Sequence, residues 1–274
     1  MPRTPAVGRP KKARPKPNAR PEMDSPEWYA WRSAAIAKNG VPHGLDIGDP
    51  QGAVGHEDGI RKSTWLIRSY RELHRRQAMD VTPQQVIDVL VKAGVKKWVL
   101  MGLHGYVGYL ADPRTTQDVD VMVAAGERKK AVKAISAAWP TLLVKQCDVV
   151  VRFLDPNDLN RQGDPKPVID IMQPWSQFQQ TILKKFVTID PATKHRIPRL
   201  EAALVSKYAA MISPFRLLEK KEYDAGDFRR MVKANFDDID HDSLRQLADE
   251  VYDGGSHEIE KFLDIAMSNR QFAL

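Results

Sequence analysis

Two stretches decide how this chain is read: GLHGYVGYLADPRTTQDVDVMV, Gly102 to Val123, and the shorter VIDIM, Val168 to Met172. In the first, Asp118 and Asp120 alternate with Val119 and Val121. A strand turns successive side chains to opposite faces, so the two carboxylates share one face. In the second, Asp170 stands among Val168, Ile169, Ile171 and Met172 and also reads as part of a strand. A carboxylate inside an apolar strand is costly unless something pairs with it. Three converging on one site suit a hard divalent cation such as Mg2+ or Mn2+, which takes oxygen ligands and leaves room for phosphates.

The elements around these strands follow from periodicity and punctuation. Residues 81–94 read as a helix, with Thr82 as cap, Pro83 at the first position, Val86, Ile87, Leu90 and Val91 as the apolar face, and Gly94 as the stop. Lys97 to Met101 reads as a strand, and residues 127–138 as a helix with Val132 and Ile135 facing inward. Leu142 to Gln146 and Val149 to Leu154 read as strands, and Asp155 to Lys166 as a turn leading into the Asp170 strand. Phe186 to Ile189 reads as an edge strand. From Pro198 the chain reads helical: one helix from Pro198 to before Ser213-Pro214, a second broken around Lys220 to Gly226, then Asp224 to Asn235, Asp242 to Tyr252 and a last helix to about residue 269. Strands followed by helices predict an α+β class, a mixed sheet flanked by helices with a helical C-terminal region. The expected division is a basic tail at 1–25, an extension at 26–80, a catalytic domain at 81–195 and a helical domain at 196–274.

Upstream, PEWYAWRSAAIAK at 26–38 reads as a short helix with Ser25 as cap and Pro26 at its first position. Its Trp28, Trp31 and Ile36 call for something to pack on. Residues 39–60 are Gly-rich and read as irregular. Residues 61–78 read as a basic amphipathic helix, with Leu66, Tyr70 and Leu73 inward and Arg68, Arg71, Arg75 and Arg76 over the rest. That basic face is either solvated or a contact surface for RNA, and the solvated reading is preferred.

The ordered set is similar to the nucleotidyltransferase superfamily of the DNA polymerase beta type. Its pieces are WVLMG (Trp98 to Gly102), LHGYVGYLA (Leu103 to Ala111), RTTQDVD (Arg114 to Asp120) and VIDIM, and by element order the resemblance covers roughly residues 81 to 235. The RTTQDVD run, with KEYDAGD at Lys221 to Asp227, resembles the small bacterial subgroup that includes abortive-infection toxins. The resemblance implies a metal-dependent transfer of a nucleoside monophosphate from a nucleoside triphosphate, with Asp118, Asp120 and Asp170 as catalytic and metal-binding residues. It implies nucleotide contacts from Gly102, Leu103, Arg114, Thr116, Lys207, Asp224 and Asp227. Asp170 would orient or deprotonate the attacking hydroxyl. The acceptor stays open between an RNA end, a protein side chain and a small molecule, and a toxin or defence role would add an antitoxin partner. Leu103 stands where the family has the second small residue of a Gly-Gly or Gly-Ser pair, so its side chain is expected to crowd the phosphates. A catalytically degenerate protein that binds nucleotide or nucleic acid is the second reading. Arg114 is read as a carboxylate partner or a phosphate contact, Lys207 as a triphosphate ligand or a snorkelling side chain, Asp224 as a helix cap or a site residue, and His104 as a packing residue.

Composition narrows the remaining classes. Hydrophobic content of 42% and charged content of 28% are those of a chain with an ordinary core. The lone cysteine, Cys147, excludes an intrachain disulfide and suits the cytoplasm. No apolar run approaches the length of a membrane span, and no His/Cys spacing reads as zinc-binding. The net charge of +7 comes from one place: residues 1–21 hold seven basic residues and no acid, and removing those seven from the 42 leaves 35 basic against 35 acidic residues. This Pro-rich stretch reads as disordered. Val7-Gly8-Arg9-Pro10-Lys11-Lys12 resembles the core of an AT-hook with its first arginine replaced by Val7, so weak nucleic-acid binding is the expected use of residues 1–21.

Overall fold

The computed structural model describes residues 21–23, 25–38 and 52–274. The basic stretch at residues 1–20 and residues 39–51 of the Gly-rich segment, like residue 24, lie outside the described residues, and so do the expectations placed on them. Chain contacts divide the protein into two units, Met1–Asp49 and Pro50–Leu274.

In the first unit α1 spans Pro26–Lys38. The Trp28 backbone N–H donates to the Ser25 hydroxyl at 3.1 Å, the expected cap, and Pro26 occupies a position where no donor is needed. The Trp28 and Tyr29 rings meet edge to face, and the Arg32 guanidinium lies over both.

The second unit holds α2 (His56–His74), α3 (Pro83–Lys92), β1 (Trp98–Leu100), α4 (Gly102–Tyr106), β2 (Val119–Val123), α5 (Arg128–Ala138), β3 (Leu143–Gln146), β4 (Val150–Leu159) and β5 (Pro165–Met172). After these come α6 (Gln177–Lys185), β6 (Val187–Ile189), β7 (Arg196–Pro198), α7 (Leu200–Ile212), α8 (Leu218–Asn235), α9 (His241–Asp249) and α10 (Gly255–Met267). Five strands form a mixed sheet in the order β1-β2-β5-β4-β3, and β6 and β7 pair as a separate ribbon. Only β2 and β5 run parallel within the five; their neighbours are antiparallel. The class is α+β, as the order of strands and helices predicts.

The sheet has a core on each side because its strands alternate. Val119, Val121 and Val123 of β2 point to a core shared with Val86, Ile87 and Leu90 of α3 and Ala131 and Ile135 of α5. Met122 points the other way, into a core with Leu103, Phe178, Leu204, Tyr208 and Phe228. Asp118 and Asp120 keep the parity of Met122, so they face the helical side of the sheet.

Several expectations are corrected. The buried stripe of α2 is Gly59, Ser63, Ile67 and Arg71, while Tyr70 and Leu73 are exposed and Leu66 is only partly covered. Val91 of α3 is exposed as well, the inward stripe being Val86, Ile87 and Leu90. Pro198 lies in β7, paired with Val187, and α7 begins at Leu200. No break interrupts α8 at Lys220 to Gly226. Gly226 costs about 1 kcal/mol inside a helix, but Phe228, Met231 and Val232 are fully buried on the same helix and outweigh it. Finally, β4 runs on to Leu159, where a turn was expected. Asp155 there accepts from the Met79 and Asn157 backbone N–H groups at 2.6 and 2.9 Å, and Asp158 pairs with Arg75 and Lys166. Turn-forming residues are thus held extended, across irregular register, with Met79 and Arg75 from far along the chain among their partners.

Candidate active site

The parallel pairing of β2 with β5 sets Asp120 directly opposite Asp170. On the far side of β5, Arg152 of β4 opposes Asp170, and Lys145 of β3 opposes Arg152. Directly opposed residues share a face. One row across four strands therefore reads Asp120, Asp170, Arg152, Lys145: two acids, then two bases.

The acids are held differently. Asp118 accepts a hydrogen bond at Oδ1 from the Thr116 hydroxyl. Asp170 Oδ2 pairs with Arg152 Nε at 3.3 Å, while its Oδ1 is buried with no hydrogen-bond partner. Burial pushes the Asp170 carboxyl up to about 6; Arg152 opposes the shift and Asp118 adds to it. Asp120 is pushed well above the carboxylate range, first by burial and then by Asp118 and Asp170. Neighbouring carboxylates thus suppress the ionisation of Asp120 and Asp170, an arrangement that favours a cation among them.

Gly102 makes this packing feasible. It lies in the left-handed region at φ +56°, and a Cβ built there would stand 2.0 Å from Asp120 Oδ2. The turn from β1 into α4 thereby passes its backbone directly over the Asp120 carboxyl.

These groups line a cleft of about 520 Å³ between the sheet and helices α6, α7 and α8. Asp118, Asp120 and Asp170 stand on the sheet wall, and Lys207, Arg216 and Lys220 on the helical wall. Met101, Met172, Phe178, Pro198, Ala203 and Ala210 supply apolar surface between them.

Behind the helical wall lies a buried ion network. Arg114 grips Asp227 with two hydrogen bonds, Nε to Oδ1 at 2.8 Å and Nη2 to Oδ2 at 2.6 Å. The Tyr106 hydroxyl donates to Asp227 Oδ2 at 2.6 Å. Lys207 Nζ donates to both Asp224 at 2.7 Å and Asp227 at 2.9 Å, and Arg216 Nε lies 2.5 Å from Asp224. Burial alone would raise Asp227, but its bonds from Arg114 and Lys207 win and hold it below the carboxylate range. Burial likewise opposes the Lys207 charge, and Tyr106, Asp227 and Asp224 more than restore it.

The residues expected at the site therefore separate into four groups. Asp118, Asp120, Asp170, Gly102, Lys207 and Asp224 meet on the cleft. Arg114 and Asp227 meet one another behind it, so Arg114 is a carboxylate partner here, and Asp224 is a mid-helix ion-pair residue instead of a cap. Thr116 reaches the site only through Asp118. Leu103 is corrected: its side chain is 3% exposed in the core and does not crowd the cleft. His104 is a buried packing residue, its imidazole lowered to about 3 by burial. Sequence reading missed Arg152, Arg216, Lys220 and Tyr106. Arg152 interrupts an apolar run between Val151 and Phe153, a visible signal whose partner depends on strand order; Tyr106 gives none.

The donor set fits a hard divalent cation: all oxygen, three carboxylates, one of them with a buried oxygen lacking a partner. As the side chains stand, no group of three or more His, Cys, Asp or Glu among the described residues is gathered closely enough to hold a metal ion. Thr116 and Arg152 each engage one oxygen, of Asp118 and of Asp170 respectively. Among the described residues no helix is long and apolar enough to cross a membrane.

No protein-family model matches the chain, and no curated protein sequence matches it. Among solved structures it is similar to an antigenic nucleotidyltransferase-like protein from Paracoccidioides brasiliensis, 14% identical over 80% of this chain and 96% of that one, with a TM-score of 0.40. It is also similar to the Thermotoga maritima CCA-adding enzyme complexed with tRNA, 12% identical over 70% of this chain and 53% of that one, with a TM-score of 0.27, so it spans about half that enzyme's length. At such TM-scores any function has to be argued from the site's own geometry.

Proposed function

We propose that the chain is a metal-dependent nucleotidyltransferase, moving a nucleoside monophosphate from a nucleoside triphosphate to an acceptor hydroxyl. The observation that carries this reading is the meeting of Asp118, Asp120 and Asp170 in one cleft with Asp170 Oδ1 unpartnered. These three would hold Mg2+ or Mn2+, which when bound neutralises charge on the triphosphate and its leaving pyrophosphate. The Lys207, Arg216 and Lys220 wall draws in the phosphates, and Lys207 is kept charged by Asp224 and Asp227. Gly102 lets the backbone pass close to the phosphates. Apolar surface around Phe178 and Pro198 accommodates a nucleobase. Asp170 would orient the attacking hydroxyl or take its proton. In this reading residues 81–195 provide the acids and residues 196–274 the cationic wall. A toxin or defence role, with an antitoxin as a separate chain, rests on the RTTQDVD and KEYDAGD resemblance alone.

The reading of a degenerate member leans on Leu103, whose side chain is in the core, and on the basic N-terminal stretch, whose residues 1–20 lie outside the described residues. Isothermal titration of each nucleoside triphosphate with Mg2+ tests the proposal on wild type and on Asp118→Ala/Asp120→Ala. Metal-dependent binding lost in the variant is expected. Absence of binding to wild type, or binding unchanged in the variant, would remove the metal site.

A further inference from the structure

A second hollow, of about 690 Å³, opens at the end of α2 and the turn after it, lined by Arg68, Arg71, Arg75 and Arg76 with Glu72 and Asp80. Acids hold three of the four arginines. Asp80 pairs with Arg68 and Arg71, each at 3.1 Å, Asp158 pairs with Arg75 at 3.3 Å, and Arg76 Nε donates to the Glu72 carbonyl at 3.1 Å. A guanidinium carries five N–H donors, so each fork is oriented while retaining donors for a further acceptor. One turn earlier on the same helix stands Trp65, 65% exposed, with Arg61 and Arg68 at neighbouring positions on its face. The hollow also adjoins the acid cleft: Arg71 Nη2 donates to the carbonyl of Gln117, the residue before Asp118, at 3.2 Å.

An exposed indole flanked by planar cations suits a base stacked on the ring, with its phosphates on the forks. An acidic peptide would use the arginines but leave Trp65 without a planar partner. We propose that the exposed face of α2 and the turn after it dock a single-stranded nucleic acid, with Trp65 stacking a base and Arg68, Arg75 and Arg76 holding phosphates, so that an end of the strand reaches Asp118. The assignment of that strand as acceptor rests on the transfer reading above; the docking does not.

Fluorescence anisotropy of a short labelled single-stranded RNA on the full chain, over a salt series and without nucleotide or divalent ion, tests it. Trp65→Ala is expected to weaken binding roughly tenfold. Arg68→Gln/Arg76→Gln is expected to make the slope of log affinity against log salt shallower by about 1.4. Lys11→Gln/Lys12→Gln/Arg14→Gln/Lys16→Gln, made in the full chain, should leave the Trp65 effect intact. Circular dichroism and melting establish that each variant is folded, and both Trp65 and Arg68 are exposed enough to replace without opening the core. Three results would overturn the proposal: no binding at all, binding that depends on the N-terminal lysines and not on Trp65, or equal displacement by polyglutamate, which would assign the surface to an acidic protein. Because no nucleotide is present, failure here leaves the transfer reading standing, and loss of nucleotide binding in Asp118→Ala/Asp120→Ala leaves the docking standing.

Discussion

Gly102 joins backbone geometry to chemistry at a single atom. Its φ of +56° and the 2.0 Å between a built Cβ and Asp120 Oδ2 are independent reasons against any side chain there. The first is a conformational cost of about 1–2 kcal/mol, which acts on folding. The second acts on the position of a carboxylate, and a displacement of about an ångström at a reacting site costs roughly a hundredfold in rate. Gly102→Ala is therefore expected to lower stability modestly and the proposed nucleotidyl transfer severely. Thermal melting and a transfer assay at saturating nucleotide separate the two effects. A variant that melts lower yet transfers at the wild-type rate would show that the Asp120 carboxyl does not depend on this approach. The sequence offered the glycine and the aspartate but not their contact. Leu103 illustrates the converse: one residue past a left-handed turn, its side chain leaves the cleft and enters the core, so residue size in the motif was a poor guide to crowding.

Helix α2 explains why a legible pattern of elements can still mislead about faces. Its large apolar residues suggested a stripe of Leu66, Tyr70 and Leu73, yet it buries Gly59, Ser63, Ile67 and Arg71. Small residues carry no hydrophobic signal, but they let backbones approach. A Cβ at Gly59 would lie 2.9 Å from the Val107 carbonyl oxygen, and one at Gly108 would lie 2.5 Å from the His56 nitrogen. The helix thus docks through glycines, and Arg71 is carried inward to reach Asp80 and Gln117. The same limit governs α8, where a glycine inside a charged run looked like a break until Asp224 and Asp227 found Lys207 and Arg114. By contrast β1, β2 and β5 were legible, because short apolar strands with lone aspartates have few alternative uses. Their order in the sheet, which brings Arg152 to Asp170, was not legible, since register depends on pairing across residues 123 to 150. On helix propensity alone, Gly59→Ala would add about 1 kcal/mol of stability. Against the Val107 backbone, overpacking costs typically 1–3 kcal/mol. The expected net result is a loss, read as a lower urea midpoint; a gain would mean that α2 is not seated as closely as described.

Across the Pro50–Leu274 unit, buried titratable groups of opposite behaviour set the response to acid. His56 Nε2 and His195 Nδ1 share a hydrogen bond at 3.0 Å, and His195 Nε2 meets Gln84 Oε1 at 2.8 Å, tying α2, α3 and the β6–β7 connection together. His104 is buried nearby on α4. Burial lowers His56 to about 4 and His104 to about 3, with the neighbouring imidazoles adding to the shift, and lowers His195 against the pull of Asp190. An imidazole lowered from 6.5 contributes stability that is complete above 6.5 and is lost as pH falls toward its folded value. At about pH 5 that amounts to roughly 2 kcal/mol for each of His56 and His104, a large share of a typical domain's total. Asp120 and Asp170 act in the opposite sense. Their raised carboxyls cost stability when ionised, and that cost is relieved as pH falls through about 6 for Asp170. Over pH 7.5 to about 5 the two lowered imidazoles therefore oppose the two raised carboxyls, and with the carboxyls removed the urea midpoint should fall. In Asp120→Asn/Asp170→Asn the opposing contribution is gone, and the same acidification should cost more than in wild type. A variant whose midpoint held steady or rose over that interval would mean the histidines are protonated in the folded chain, and the His56–His195 contact would then have to be rebuilt around two charges.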